Sequence, residues 1–109
     1  MNWSEWKDLP SPQNCRKIEG PEESGVYQLL NAKTNEFILF GISNKCRKRM
    51  KSLYPKPFGI GTRNNSKKRE YVLMHWQNIK YRTLETPSRI EAKLVEDKIR
   101  NQNNHLFNT

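Results

Sequence analysis

Gly25-Val26-Tyr27-Gln28-Leu29-Leu30, then Asn31-Ala32-Lys33-Thr34-Asn35, then Glu36-Phe37-Ile38-Leu39-Phe40-Gly41-Ile42 is the stretch that decides the fold. Two apolar runs of strand length flank a polar turn, the pattern of a β-hairpin. Neither run alternates apolar with polar residues, so both faces of the sheet should be covered. Ser43-Asn44 offers an N-cap, and the spacing predicts a helix from about Lys45 to Leu53. At about 100° per residue, Cys46, Met50 and Leu53 form its buried stripe, Arg47, Lys48 and Lys51 point away, and Arg49 falls about 70° from the stripe's centre. An arginine at that border can be held by packing and still reach a ligand; a surface arginine that snorkels fits the same spacing.

Composition bounds what surrounds this stretch. With 109 residues, 34% of them hydrophobic, the chain builds one domain around one small core. Twenty Lys and Arg against 11 Asp and Glu give a net charge of +9, a field that favours a polyanionic partner. A membrane is disfavoured, because the longest apolar run is Phe37 to Phe40 and the mean hydropathy is -1.00. Met1-Asn2-Trp3 opens a polar segment rather than a signal peptide. Cys15 and Cys46 lack the paired spacing of a zinc site or a disulfide framework, so a reducing cytoplasm is expected.

Residues 1 to 24 read as an irregular arm packed on a domain that spans 25 to 109. Pro10, Pro12 and Pro21 preclude a long regular element there. Trp3 and Trp6 can share a face, as staples on the core or as platforms for bases. Past the first helix, residues 54 to 66 form an irregular segment in which Gly59-x-Gly61 is too short for a phosphate-binding fingerprint. Arg63, Lys67 and Lys68 set positive charge beside Asn64 and Asn65, as a loop tracking a nucleic-acid backbone would and as a plain solvated loop also would. With Lys45, Arg47, Lys48 and Lys51 they are the candidate nucleic-acid contacts.

A second helix is expected from about Lys67 to Asn78, with Tyr71, Val72, His75, Trp76 and Ile79 on one face. His75 there is a core histidine or a proton carrier. Lys80 to Glu85 reads as a third strand, and a last helix runs from Pro87 or Ser88 to about Asn101. Measured around that helix from Ile90, Leu94 falls at about 40°, Val95 at about 140° and Ile99 at about 180°, so the apolar arc centres at about 100°, where Glu91 sits. A carboxylate central on a buried face needs a metal ion or a basic partner. Ser88-x-x-Glu91 is also a capping box, which needs no function. Glu96 and Asp97 fall outside that arc and read as solvated charges.

Gly25-Val26-Tyr27, Leu39-Phe40-Gly41, Arg49 eight residues past Gly41, Glu91-Ala92 opening a helix and Phe107-Asn108 near the end together resemble a GIY-YIG nuclease over roughly residues 20 to 109. The resemblance implies an α/β (α+β) domain, a small three-stranded antiparallel sheet flanked by about three helices, and a metal-dependent endonuclease that hydrolyses DNA. By the same resemblance Glu91 would hold Mg²⁺ or Mn²⁺, Arg49 would neutralise the scissile phosphate, Tyr27 would position or deprotonate the attacking water, and Asn108 would support the site. The chain departs from the pattern at Leu39, where the second motif has tyrosine, and at Leu53, where many members carry histidine or tyrosine; Tyr54 and His75 are the candidates to compensate. Glu91 to Asn108 also spans about five residues more than in compact members.

The chemistry needs such groups: cationic side chains on the phosphate oxygens, a hard ion held by oxygen ligands, and an aligned nucleophile. Arginine's fork donates two hydrogen bonds and stays charged, whereas a free tyrosine titrates near pH 10. The expected partner is nucleic acid, DNA before RNA. A non-catalytic DNA- or RNA-binding module on the same fold is the alternative, and a homodimer or a partner subunit could supply specificity.

Overall fold

The computed structural model describes residues 2–54, 58–59 and 66–108. In chain order its regular elements are β1 (Lys7–Asp8), a 3-10 turn (Pro12–Lys17), β2 (Gly25–Asn31), β3 (Glu36–Ser43), α1 (Cys46–Lys51), α2 (Ser66–His75), a second 3-10 turn (Trp76–Asn78), β4 (Ile79–Glu85) and α3 (Arg89–Gln102). The fold is mixed α+β, as expected, but the sheet among the described residues has four antiparallel strands rather than three, in the order β1-β4-β2-β3. The added strand comes from the arm and pairs Lys7 with Tyr81 and Asp8 with Lys80. Two residues are too few to carry an alternating pattern, which is why composition could not announce it.

β2 lies between β3 and β4, and its continuous apolar run follows from that position, because all but one of its residues are buried. One face of the sheet packs Leu29, Leu39, Ile79 and Tyr81 against Met50 of α1 and Val72 of α2, and the arm adds Leu9 and Ile18 to the same core. The opposite face packs Val26, Phe40 and Leu84 under Ala92, Val95 and Ile99 of α3. A register shift between Leu29 and Leu30 lets β3 carry one extra residue, so Ile38 and Leu39, neighbours in sequence, both enter the first core. Each such fully buried side chain contributes about 1.5–3 kcal/mol relative to exposure.

The arm is bound along its length. Ser4 N–H donates to Thr83 O, Leu9 N–H to Ile79 O, and the rings of Trp3 and Trp6 both meet the Arg82 guanidinium, at 4.4 and 4.5 Å. The tryptophans are therefore staples, and what they grip is a cation. The expected helices are shortened. α1 stops at Lys51, and the second helix passes into a 3-10 turn after His75, which hands Ile79 to β4. Ser88 caps α3 as the sequence suggests, accepting from Ile90 N–H at 3.2 Å, and Asn103 in the left-handed region (φ 49°) closes it. Among the described residues no helix is long and apolar enough to cross a membrane.

Candidate functional site

Tyr27 on β2 is the direct cross-strand partner of Gly41 on β3, the edge strand. Gly41 has no side chain, and the Tyr27 ring lies across the vacated space. A Cβ at position 41 would overlap the phenol's hydroxyl and the ring carbon that bears it. The tyrosine is thereby carried to the sheet edge, where it lines a cleft of about 460 Å³.

Arg49 from α1 stands at the same cleft, near enough for its charge to act on Tyr27. Burial pushes the Tyr27 phenol above tyrosine's ordinary value, and the positive charge of Arg49 works against that rise without cancelling it. The hydroxyl is consequently protonated at neutral pH, a donor rather than a base.

Among the described residues six cations line the cleft, Arg49, Lys68, Arg69, Arg89, Lys93 and Arg100, with Glu96 as its one carboxylate. Glu96 sits on α3 with a side chain 12% exposed, and its Oε1 is 3.0 Å from Lys93 Nζ and 3.5 Å from Arg100 Nη2. Burial, and then the charges of Arg49 and Arg100, hold the Lys68 ammonium below lysine's usual range, while Glu96 acts the other way. Four side chains from α1, α2 and α3 thus feel one another across one cavity. A cavity with this excess of positive charge favours an anion, and the planar forks of Arg49 and Arg100 suit phosphate oxygens.

No family model, curated protein or solved structure matches this chain. The site is therefore read from its own geometry.

That geometry revises the expected roster. Glu91 is not central on the buried face of α3. Ile90 and Leu94, used to orient the helix, are 73% and 59% exposed, while Ala92 and Ile99 are buried and Val95 packs beside them. The buried arc turns through about 75° as a result, leaving Glu91 and Glu96 on opposite flanks of it, with Glu96 on the flank that faces the cleft. Glu91 instead accepts a short hydrogen bond from Ser88 Oγ, which holds its carboxyl below the usual range. It is the capping-box residue. Asn108 donates from Nδ2 to Arg100 O at 3.0 Å, bracing the part of α3 that carries Arg100; its Oδ1 is buried without a partner among the described residues.

Neither candidate for the hydroxyl absent at Leu39 joins the cleft. Tyr54 is fully buried and donates to Pro10 O at 2.8 Å, and His75 packs against Tyr71 with the rings tilted and their centroids 4.4 Å apart. Leu39 itself is wholly buried in the core. Arg47 is committed to the arm, its Nε donating to Ile18 O at 3.0 Å and its Nη2 to Arg16 O at 2.8 Å. Lys45 and Lys48 line a neighbouring groove. Lys51 and Lys67 line neither cavity, and Arg63 lies outside the described residues.

Among the described residues no group of three or more His, Cys, Asp and Glu side chains gathers for a metal ion. The side-chain oxygens lining the cleft among those residues are one carboxylate, one phenol and the Ser52 hydroxyl. Mg²⁺ is commonly held by one or two carboxylates together with substrate phosphate and several waters, so this set fits a hard ion that arrives with a phosphate. Sequence reasoning missed Glu96, Lys93 and Arg100. The signal that could have found them is Ala92, Val95 and Ile99, small or branched residues whose spacing defines the buried stripe without Ile90 and Leu94.

Proposed function

We propose that this chain is a metal-assisted DNA endonuclease of the GIY-YIG kind, with Tyr27, Arg49 and Glu96 as its catalytic side chains. Support comes chiefly from one observation: Tyr27, Arg49 and Glu96, the single cleft carboxylate among the described residues, meet in a cavity otherwise rich in cations. The choice of Glu96 over Glu91 also shortens the interval to Asn108 by five residues, the same length by which Glu91 overshoots compact members of the family.

In this mechanism Arg49 takes two non-bridging oxygens of the scissile phosphate, and Lys68 and Arg100 add charge against the negative charge that builds in the transition state. Tyr27, a neutral phenol, orients the attacking water or a phosphate oxygen by donating its proton in a hydrogen bond. Glu96 would hold a divalent ion jointly with the substrate phosphate; the ion's chemistry there is to polarise the phosphoryl oxygen and lower the pKa of water. Lys93 keeps Glu96 in place until a substrate competes for it.

Plasmid nicking in Mg²⁺ or Mn²⁺ at low salt tests this. The wild type should nick, Glu96→Gln should abolish nicking, and Glu91→Gln should preserve it. A second reading, a DNA-binding module without catalysis, is favoured by the buried Leu39, which brings no hydroxyl. Tight binding without nicking by the wild type on duplex, branched and single-stranded DNA would establish that second reading.

A further inference from the structure

Beside the cleft lies a second groove of about 410 Å³, whose lining includes Lys45, Lys48, Arg49, Ser52 and Arg89 and, among the described residues, no carboxylate. Arg49, Ser52 and Arg89 line both cavities, so the two are continuous across a saddle made by these three residues. The arrangement follows from α1. Lys45, Lys48, Arg49 and Ser52 fall within an arc of about 100° around the helix, and Arg47 lies on the other side, about 160° from Arg49. Arg47 is spent on the arm's carbonyls and on Glu22 at 3.6 Å. Lys45, Lys48 and Arg49 are exposed. Arg89 closes the groove from the start of α3.

The two cavities differ in kind. The cleft holds a buried phenol and a carboxylate among its cations, as a site that performs a reaction requires, whereas the groove has four cations, serines and an asparagine. Such a lining can neutralise and hydrogen-bond an anion but, among the described residues, brings no carboxylate, imidazole, phenol or thiol to it. An anion that extends from one cavity into the other needs regularly spaced negative charges, which a nucleic-acid strand has.

We infer that the groove is a second phosphate subsite, which takes a neighbouring phosphate of the same DNA strand whose scissile phosphate lies in the cleft, with the Arg49–Arg89 saddle between them. The inference rests on the proposed nuclease function and adds to it a path for the substrate. A strand is engaged on both sides of the saddle, so a compound with a single phosphodiester forgoes the groove.

The test uses the full chain and the double variant Lys45→Ala, Lys48→Ala, both lysines being exposed and outside the core. Binding of a duplex oligonucleotide, followed by fluorescence anisotropy across a salt series, should show the slope of log affinity against log salt reduced by about two in the double variant. Hydrolysis of bis(p-nitrophenyl) phosphate, which carries one phosphodiester, should stay at the wild-type rate, while the KM for DNA rises. A control pair that does not line the groove, Lys17→Ala with Lys33→Ala, should leave the slope within about half a unit of wild type. An unchanged slope in the double variant overturns the inference. An equal drop in the control pair overturns it too, because the effect would then be diffuse charge. Parallel loss of both hydrolytic activities would place Lys45 and Lys48 in the reaction itself and equally overturn it. If the wild type hydrolyses neither substrate but the slope still falls only in the groove variant, the nuclease function fails and the subsite stands as a DNA-binding groove.

Discussion

The Tyr27 ring occupies the space that a side chain at Gly41 would need. The two residues are cross-strand partners, so the strand register itself delivers the phenol to the edge of the sheet. Gly41 is thus tied to Tyr27 by volume rather than by any demand for an unusual backbone, since no glycine among the described residues has positive φ.

Gly41→Ala should therefore displace the tyrosine. Overpacking at such a contact costs about 1–3 kcal/mol, and nicking should fall with it. Tyr27→Phe keeps the ring and removes the hydroxyl, so thermal unfolding should stay near wild type while the nicking rate drops by about 10²-fold or more. Full nicking by Tyr27→Phe would exclude the phenol from the reaction.

Glu91 and Glu96 should separate cleanly. Glu91→Gln weakens the capping box, so the melting temperature should fall modestly while cutting is retained. Because its folded carboxyl titrates below the ordinary value, the stability Glu91 adds is present at neutral pH and is lost as pH falls through the folded value. The difference in melting temperature between wild type and Glu91→Gln should accordingly shrink in acid. Glu96→Gln should do the opposite in function, leaving no measurable nicking. Nicking retained by Glu96→Gln and lost by Glu91→Gln would reverse the assignment.

Arg47→Ala removes two charged hydrogen bonds to the arm, each worth about 1.5–3 kcal/mol in favourable cases. Its side chain is 31% exposed, so water recovers part of that loss. The expected result is earlier thermal unfolding and faster protease cleavage within residues 1–24, with the salt dependence of DNA binding little changed. A slope reduced by about a full unit or more, with the arm as protected as before, would make Arg47 a phosphate contact.

His105 provides a pH prediction. It stacks on Phe37 at 5.0 Å, meets Phe40 edge-on at 4.9 Å, and takes a hydrogen bond from Gln28, whose Oε1 accepts from Arg82. Burial, with the Arg82 charge second, pushes the imidazole down to about 4. The unfolded chain takes up the proton first, near the ordinary value of about 6.5. Stability should be full above that value, decline as pH falls toward 4, and flatten below. His105→Gln should remove this part of the acid slope in urea unfolding followed from neutral pH down to the folded value. An unchanged slope would show that other groups carry it.

The hairpin was legible because β2 and β3 carry long apolar runs on either side of a turn whose first residue, Asn31, accepts from Lys33 N–H and Thr34 N–H. α3 was legible at its ends because Ser88 and Asn103 act locally. Its facing was not. A helical wheel weighs Ile90 and Leu94 as heavily as Val95 and Ile99, and only the tertiary fold reveals which pair meets the sheet. Arg47 and Arg82 escaped for a related reason: a cation used on backbone carbonyls or against tryptophans looks, in sequence, like one that faces solvent. The network from Arg82 through Gln28 to His105 joins residues 77 apart, beyond the reach of any local pattern.

α1 begins without a side-chain cap. Its first amides are taken instead by the arm, Cys46 N–H donating to Glu23 O and Arg47 N–H to Pro21 O. The helix that presents Arg49 is therefore begun by another part of the chain, and the two are expected to open together. Hydrogen exchange at Cys46 and Arg47 should keep pace with exchange at Leu9, whose amide binds β4. Release of the arm is then equivalent to withdrawal of the arginine, a single cooperative opening in which the anion cleft disappears while β2 and β3 remain paired.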